Sequence, residues 1–170
     1  MKLEHLKCPL SRWTFSKKPI RDWVESVCVG KVLNLFCGRT KLAVDETRVD
    51  MDPLVMPDHC MDALDYLEQC DTRFDTVLLD PPYSFRKSME MYGGRKASRF
   101  NIVKNRIPDV LNPGGRVITF GYHSVSMGTR RGFQITRLLV ISHGGAIHDT
   151  LATVEQNHQI HVDWNVNGAH

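Results

Sequence analysis

Ile20, Trp23, Val24 and Val27 fall at i, i+3, i+4 and i+7, one apolar stripe that predicts a helix over Lys17–Val27. Ser16 can cap it, Pro19 suits its first turn and Gly30 stops it. The pattern then changes to short apolar runs. Lys31-Val32-Leu33-Asn34-Leu35-Phe36 predicts a buried strand entering a tight loop at Cys37-Gly38. Thr47–Asp52 reads as a second strand stopped by Pro53, and His59-Cys60-Met61 as a very short third. Asp62 caps a helix carrying Ala63, Leu64 and Leu67. Phe74–Leu79 is a strong strand ended by Asp80-Pro81-Pro82-Tyr83. Ser84 to Arg99 is polar and basic and contains Gly93-Gly94, which predicts a loop. Phe100–Leu111 predicts a helix interrupted near Pro108, Asn112-Pro113-Gly114-Gly115 a turn, and Arg116–Phe120 a strand. Gln134–Ile141 and Ile147–Val154, flanking Gly144-Gly145, predict a hairpin.

Strands alternating with helices imply an α/β fold: a mostly parallel sheet with helices on both faces, extended by the antiparallel C-terminal β-hairpin. Such sheets bind ligands at the carboxyl ends of their strands, where Phe36-Cys37-Gly38, Asp50, Asp62 and Asp80 all fall. The 170 residues, 42% apolar and 24% charged, fit one globular domain over residues 1–156, followed by a polar, His-rich tail over 157–170. No apolar run is long enough for a membrane span, and Met1–Lys7 has no apolar signal segment. Five scattered cysteines without Cys-x-x-Cys spacing fit a reducing, cytoplasmic setting and speak against a zinc ribbon. His143 and His148 lack a third ligand at sensible spacing, so no metal is expected. The net charge of +3 allows an anionic partner without demanding one.

The strongest chemical signal is Leu78-Leu79-Asp80-Pro81-Pro82-Tyr83-Ser84. Two prolines after an acid at a strand end remove two backbone donors and stiffen the turn. That rigidity suits a carboxylate and a backbone carbonyl that must both face one amino group. The exocyclic amine of a base is a poor nucleophile, because its lone pair is shared with the ring. Acceptors on both amine hydrogens, Asp80 and a carbonyl near Pro81, favour the charge that grows on nitrogen during alkylation. Tyr83 can stack on the flat ring.

With this run the chain resembles the S-adenosylmethionine-dependent amino-methyltransferases of the Asp-Pro-Pro-Tyr type, which act on adenine N6 and, more loosely, on other planar amino groups. Lys18-Pro19, a helix, then Val32-Leu33-Asn34-Leu35-Phe36-Cys37-Gly38 resembles the entry segment of that family, and the likeness extends over about residues 17 to 155. It implies a Rossmann-like class I methyltransferase fold. It also implies cofactor contacts by Lys18, Pro19, Asn34, Phe36, Cys37, Gly38 and Asp80, a ribose contact by Asp50, and an adenine contact by Asp62-Ala63. Catalysis falls to Asp80, Pro81, Pro82 and Tyr83.

Two departures stand out. Only Arg39–Glu46 separates the first motif from the second strand, and only Pro53–Asp58 the second from the third. A parallel crossover usually takes a dozen or more residues, so the early crossover helices are expected to be shortened or missing. One sheet face should then lie bare and seek a partner, which suggests a homodimer. The chain also ends soon after the hairpin, leaving no room for a separate target-recognition segment, so recognition is expected from a partner or from the basic loop. That loop carries Arg86, Lys87, Arg95, Lys96 and Arg99, with Tyr92 and Phe100 interleaved, which suits a phosphate backbone and an unstacked base. Arg130-Arg131 adds a basic pair, expected near the same end of the sheet. The function these features imply is methylation of adenine N6 in DNA. The alternatives are the same chemistry on RNA or a protein glutamine amide, or a non-catalytic cofactor-binding subunit of a methyltransferase complex.

Overall fold

The computed structural model describes residues 1–81, 99–145 and 148–158. Its chain order is β1 (Lys2–Lys7), α1 (Lys18–Val27), β2 (Val32–Leu35), β3 (Glu46–Asp50), β4 (His59–Cys60), α2 (Ala63–Gln69), β5 (Phe74–Leu79), α3 (Arg99–Val110), β6 (Leu111–Gly121), β7 (Phe133–Ser142) and β8 (Thr150–Asn157). These strands form one eight-stranded sheet in the order β1-β7-β8-β6-β5-β2-β3-β4. All pairings are parallel except those of β8, which runs antiparallel to both β6 and β7. From β2 the chain builds outward through β3 and β4. From β5 it builds the other way, through β6. The order therefore reverses between β2 and β5, and the crevice at their carboxyl ends is where sheets of this kind bind ligands.

The helices cover both faces. The apolar stripe of α1 buries Ile20, Trp23, Val24 and Val27 on one face, against Val32, Leu78, Ile118, Phe120 and Leu139. The ring of Phe120 takes the edges of Phe15 and Trp23 at 5.3 and 6.3 Å between centroids. On the other face α2 and α3 pack Tyr66, Leu67, Val103 and Ile107 against Leu33, Leu35, Val77 and Val117. Asp62 caps α2 as the sequence predicts, its Oδ1 accepting from the Leu64 N–H at 2.9 Å.

The early crossovers carry no α-helix: residues 36–45 are irregular, and a single 3-10 turn, Pro53–Val55, separates β3 from β4. Among the described residues the expected bare face is not found beneath them. Leu42 is buried there, and a polar network closes the rest. Asn34 on β2 donates to Glu46 Oε2 at 2.8 Å, and Glu46 Oε1 accepts from the Leu42 N–H at 2.8 Å. Arg48, one strand out, donates to the carbonyls of Gly38, Val55 and Met56 at 2.6, 3.3 and 2.9 Å. One guanidinium thus does what two helices usually do, tying the crossover loops to the sheet through their own carbonyls. Burial pushes the Glu46 carboxyl above the ordinary carboxylate range, outweighing Asn34, the Leu42 N–H and Arg48. Apolar exposure in this region is carried by Met51, Leu54 and Met56, on the crossover rather than the sheet face.

Four further details depart from the sequence reading. Residues 2–7, read only as lacking a signal segment, form edge strand β1. Helix α3 runs through Pro108 without interruption, although the proline removes one i→i−4 hydrogen bond from the last turns. Asn112–Gly115 lies within β6 as a looped-out stretch: Phe74 pairs with Leu111, but Thr76 pairs with Arg116. Finally, Arg130-Arg131 leads directly into the amino end of β7, opposite the Asp80 end of the sheet. The segment 122–132 carries the chain back down the α3 face before β7 begins, burying Met127 on the way.

Candidate active site

The loop after β2 sets the geometry. Phe36 takes a left-handed backbone (φ 66°), an uncommon state for a large side chain, and the Phe36 and Cys37 N–H groups both donate to the Val49 carbonyl, at 3.0 and 3.1 Å. Gly38 follows with φ 58°. Asp50, at the end of β3, accepts from the Gly38 N–H at 3.0 Å through Oδ2 and from the Asp52 N–H at 3.0 Å through Oδ1. The Gly38 peptide is therefore held from β3 on both sides, its N–H by Asp50 and its carbonyl by Arg48. A methyl group at Gly38 would lie 3.0 and 3.2 Å from two ring carbons of Trp13. Gly38→Ala combines that clash with a strained φ and is expected to weaken cofactor binding at least about tenfold, read by calorimetry.

These groups line one cavity of about 260 Å³ at the β2/β5 switch point. Its walls are Phe36, Cys37, Gly38, Arg39 and Thr40 after β2, Asp50 and Met51 after β3, Asp80 and Pro81 after β5, and Arg12, Trp13, Thr14 and Phe15 from the segment that leads into α1. The β1–β7 edge fixes that last segment. His143 bridges the Cys8 carbonyl (2.7 Å) and the Thr150 hydroxyl (2.8 Å), so its ring has a structural task. No cluster of metal-ligating side chains occurs among the described residues, and none of their helices is long and apolar enough to cross a membrane.

Of the residues singled out from sequence, Phe36, Cys37, Gly38, Asp50, Asp80 and Pro81 meet in this cavity. Lys18, Pro19, Asn34, Asp62 and Ala63 do not line it. Lys18 pairs with Asp22, Pro19 sits in the first turn of α1, Asn34 is spent on Glu46, and Asp62 caps α2 with Ala63 buried beside it. Pro82, Tyr83, Arg86, Lys87, Arg95 and Lys96 lie outside the described residues, and Arg99 is described only as the first residue of α3. Sequence reasoning missed Arg12, Trp13, Thr14 and Phe15, whose only local signal is an aromatic-rich stretch before the α1 cap.

Cys37 is a buried wall residue whose thiol is pushed up to about 12, mainly by burial, so it is protonated and unreactive at neutral pH. Cys60, exposed on β4, is expected to be alkylated by a maleimide at neutral pH while Cys37 stays unmodified in the folded protein. Peptide mapping of the labelled chain checks this.

No protein-family model matches the chain, and no curated protein matches it. Solved structures do. The N-methyltransferase NodS from Bradyrhizobium japonicum aligns with a TM-score of 0.54 at 15% identity, over 86% of this chain and 90% of that one. The 1,6-didemethyltoxoflavin-N1-methyltransferase of Burkholderia thailandensis, solved with its substrate and S-adenosylhomocysteine, aligns with a TM-score of 0.57 at 13% identity, over 82% and 77%. TrmN from Thermus thermophilus aligns with a TM-score of 0.52 at 17% identity, over 82% and 47%. This chain has the class I methyltransferase fold. Within that fold its early crossovers are reduced to loops, and β1 adds a strand beyond the hairpin.

Proposed function

We propose that the chain is an S-adenosylmethionine-dependent methyltransferase that methylates the N6 amine of adenine in DNA. One observation carries the reading: Asp80, which opens the Asp-Pro-Pro-Tyr run, shares a cavity with the β2 loop and Asp50. The donor set suits this cofactor. Asp50 keeps carboxylate lone pairs beyond its two backbone contacts for a ribose diol, and the Gly38 turn lets backbone approach the ligand. Solved relatives of this fold are methyltransferases, one of them holding S-adenosylhomocysteine.

When bound, S-adenosylmethionine supplies an electrophilic methyl group on a sulfonium, so a nitrogen–carbon bond forms as the carbon–sulfur bond breaks. Asp80 accepts one amine hydrogen and the Pro81 carbonyl the other, turning the nitrogen lone pair out of the ring and stabilising the positive charge that grows there. The methylated nitrogen then gives up one proton to water, and the thioether S-adenosylhomocysteine is the leaving group. Tyr83 stacks on the base, which has left the duplex or comes from a single strand, since the amine is out of reach in the stack. The basic residues Arg86, Lys87, Arg95, Lys96 and Arg99 follow the backbone.

The test is methyl transfer from labelled S-adenosylmethionine to unmethylated DNA, with products digested to nucleosides. N6-methyladenine is the expected product. Label in RNA or protein alone, with none in DNA, overturns the substrate assignment.

A further inference from the structure

Arg12 and Arg39 come from different parts of the chain, yet both lie over the ring of Trp13, at 5.3 and 5.6 Å from its centroid. All three line the cavity, where the Trp13 ring lies so near Gly38 that a Cβ there would stand 3.0 Å from it. Both guanidiniums are exposed, and neither has an ion-pair partner among the described residues. Several other basic groups are spent internally: Arg48 on loop carbonyls, Arg116 on the Val27 carbonyl, Arg131 on Asn105 and the Met127 carbonyl, and Lys104 on the Ser126 carbonyl. The cavity wall thus carries both signs: the two permanent cations Arg12 and Arg39, and the acidic side chains of Asp50 and Asp80. A half-buried indole beside both guanidiniums restrains the two side chains, which lowers the entropy cost of gripping an oxyanion.

We propose that Arg12 and Arg39, both lying over Trp13, form an oxyanion clamp at the cavity mouth, resting on the reading above for the ligand beside it. Two ligands of that reaction carry an oxyanion: the phosphodiester of the substrate strand and the carboxylate of the cofactor. The exposure of both side chains favours the strand, which would give this chain a nucleic-acid contact outside the loop at 84–99.

The experiment compares the wild-type chain with the double variant Arg12→Gln/Arg39→Gln. Both side chains are exposed, so the fold should survive, and circular dichroism verifies it. An Arg12→Lys/Arg39→Lys variant keeps the charge but not the planar, forked guanidinium. The first arm measures binding of an oligodeoxythymidylate, which has no amine for Asp80, against salt concentration. A strand contact lowers the slope of log K against log salt by about one for each phosphate released, and the lysine variant recovers part of it. The second arm compares S-adenosylhomocysteine with methylthioadenosine, which lacks the amino-carboxylate. A carboxylate contact makes the wild type prefer the former, and the glutamine variant lose that preference by about tenfold. A change in either arm supports the clamp and names its source. No change in either arm overturns it. The two readings fail separately: wild-type protein that binds no S-adenosylhomocysteine sinks the methyltransferase reading, whereas equal binding by wild type and variant in both arms sinks the clamp.

Discussion

Asp80→Ala should lower methyl transfer by at least about a hundredfold while leaving the affinity for S-adenosylhomocysteine within about threefold, as for a lost transition-state acceptor. The asymmetry follows from where Asp80 stands. It sits at the carboxyl end of β5, across the switch point from the β2 loop, and lines the cavity from that side. The Gly38 peptide and Asp50, which would hold the cofactor, are organised by β3 and do not depend on Asp80 for any hydrogen bond described for them. Asp80→Asn sharpens the point. It keeps the shape and one acceptor oxygen but removes the negative charge that offsets the growing charge on nitrogen, so it should fall close to the alanine variant. Rapid-quench turnover with the substrate base and calorimetry with S-adenosylhomocysteine separate the two effects. Normal turnover in Asp80→Ala would remove the carboxylate from the mechanism. A matching loss of cofactor affinity would make Asp80 a binding group instead.

The parts of this architecture that sequence revealed are those fixed by local chemistry. The stripe of α1, the Asp62 cap, the β5 run into Asp80 and the hairpin around Gly144-Gly145 each carry their signal within a few residues. What escaped depends on partners far away. Strand β1 is polar, and Leu3 is exposed, so periodicity offers little. It exists because the Lys2–Lys7 backbone finds β7 some 135 residues later, as the pairing Leu3↔Leu138 shows. The wall segment Arg12–Phe15 inherits its place from that pairing. The short crossovers were visible as counts of residues, but their remedy was not. Nothing near Arg48 announces that its guanidinium will reach the Gly38, Val55 and Met56 carbonyls. Asn34 illustrates the reverse case. Its position in a family-like motif suggested a ligand contact, while its fully buried amide serves Glu46.

The second large effect is expected on stability, at Glu155. This residue lies on β8 and is fully buried, with its carboxylate bonded to the segment that joins β6 to β7. It accepts three successive backbone N–H groups, from Ser126 at 3.1 Å, Met127 at 2.8 Å and Gly128 at 2.9 Å. A buried charge is tolerable only with such partners, and three aligned peptide dipoles provide them. The arrangement seats Met127 in the core on the α3 face, and Lys104 and Arg131 close the same segment by donating to the Ser126 and Met127 carbonyls. Burial moves Lys104 below the ordinary lysine range, and the nearby Arg131 adds to the shift while Glu155 opposes it. Removing the carboxylate therefore strands three donors and loosens the cation above them. Glu155→Ala should cost at least about 3 kcal/mol, since each orphaned buried donor costs on the order of 1–3 kcal/mol. For a domain of this size that corresponds to a fall of roughly 10 °C in Tm. Glu155→Gln keeps one acceptor oxygen and the shape, and should lose less. Urea denaturation of the three proteins measures the ranking. A loss under about 1 kcal/mol for Glu155→Ala would mean that water replaces the carboxylate without cost, and that the segment is held by Met127 and the two cations instead. Because this site lies away from the cavity, the S-adenosylhomocysteine affinity of whatever fraction remains folded should not change, which separates a stability defect at Glu155 from a chemical one at Asp80.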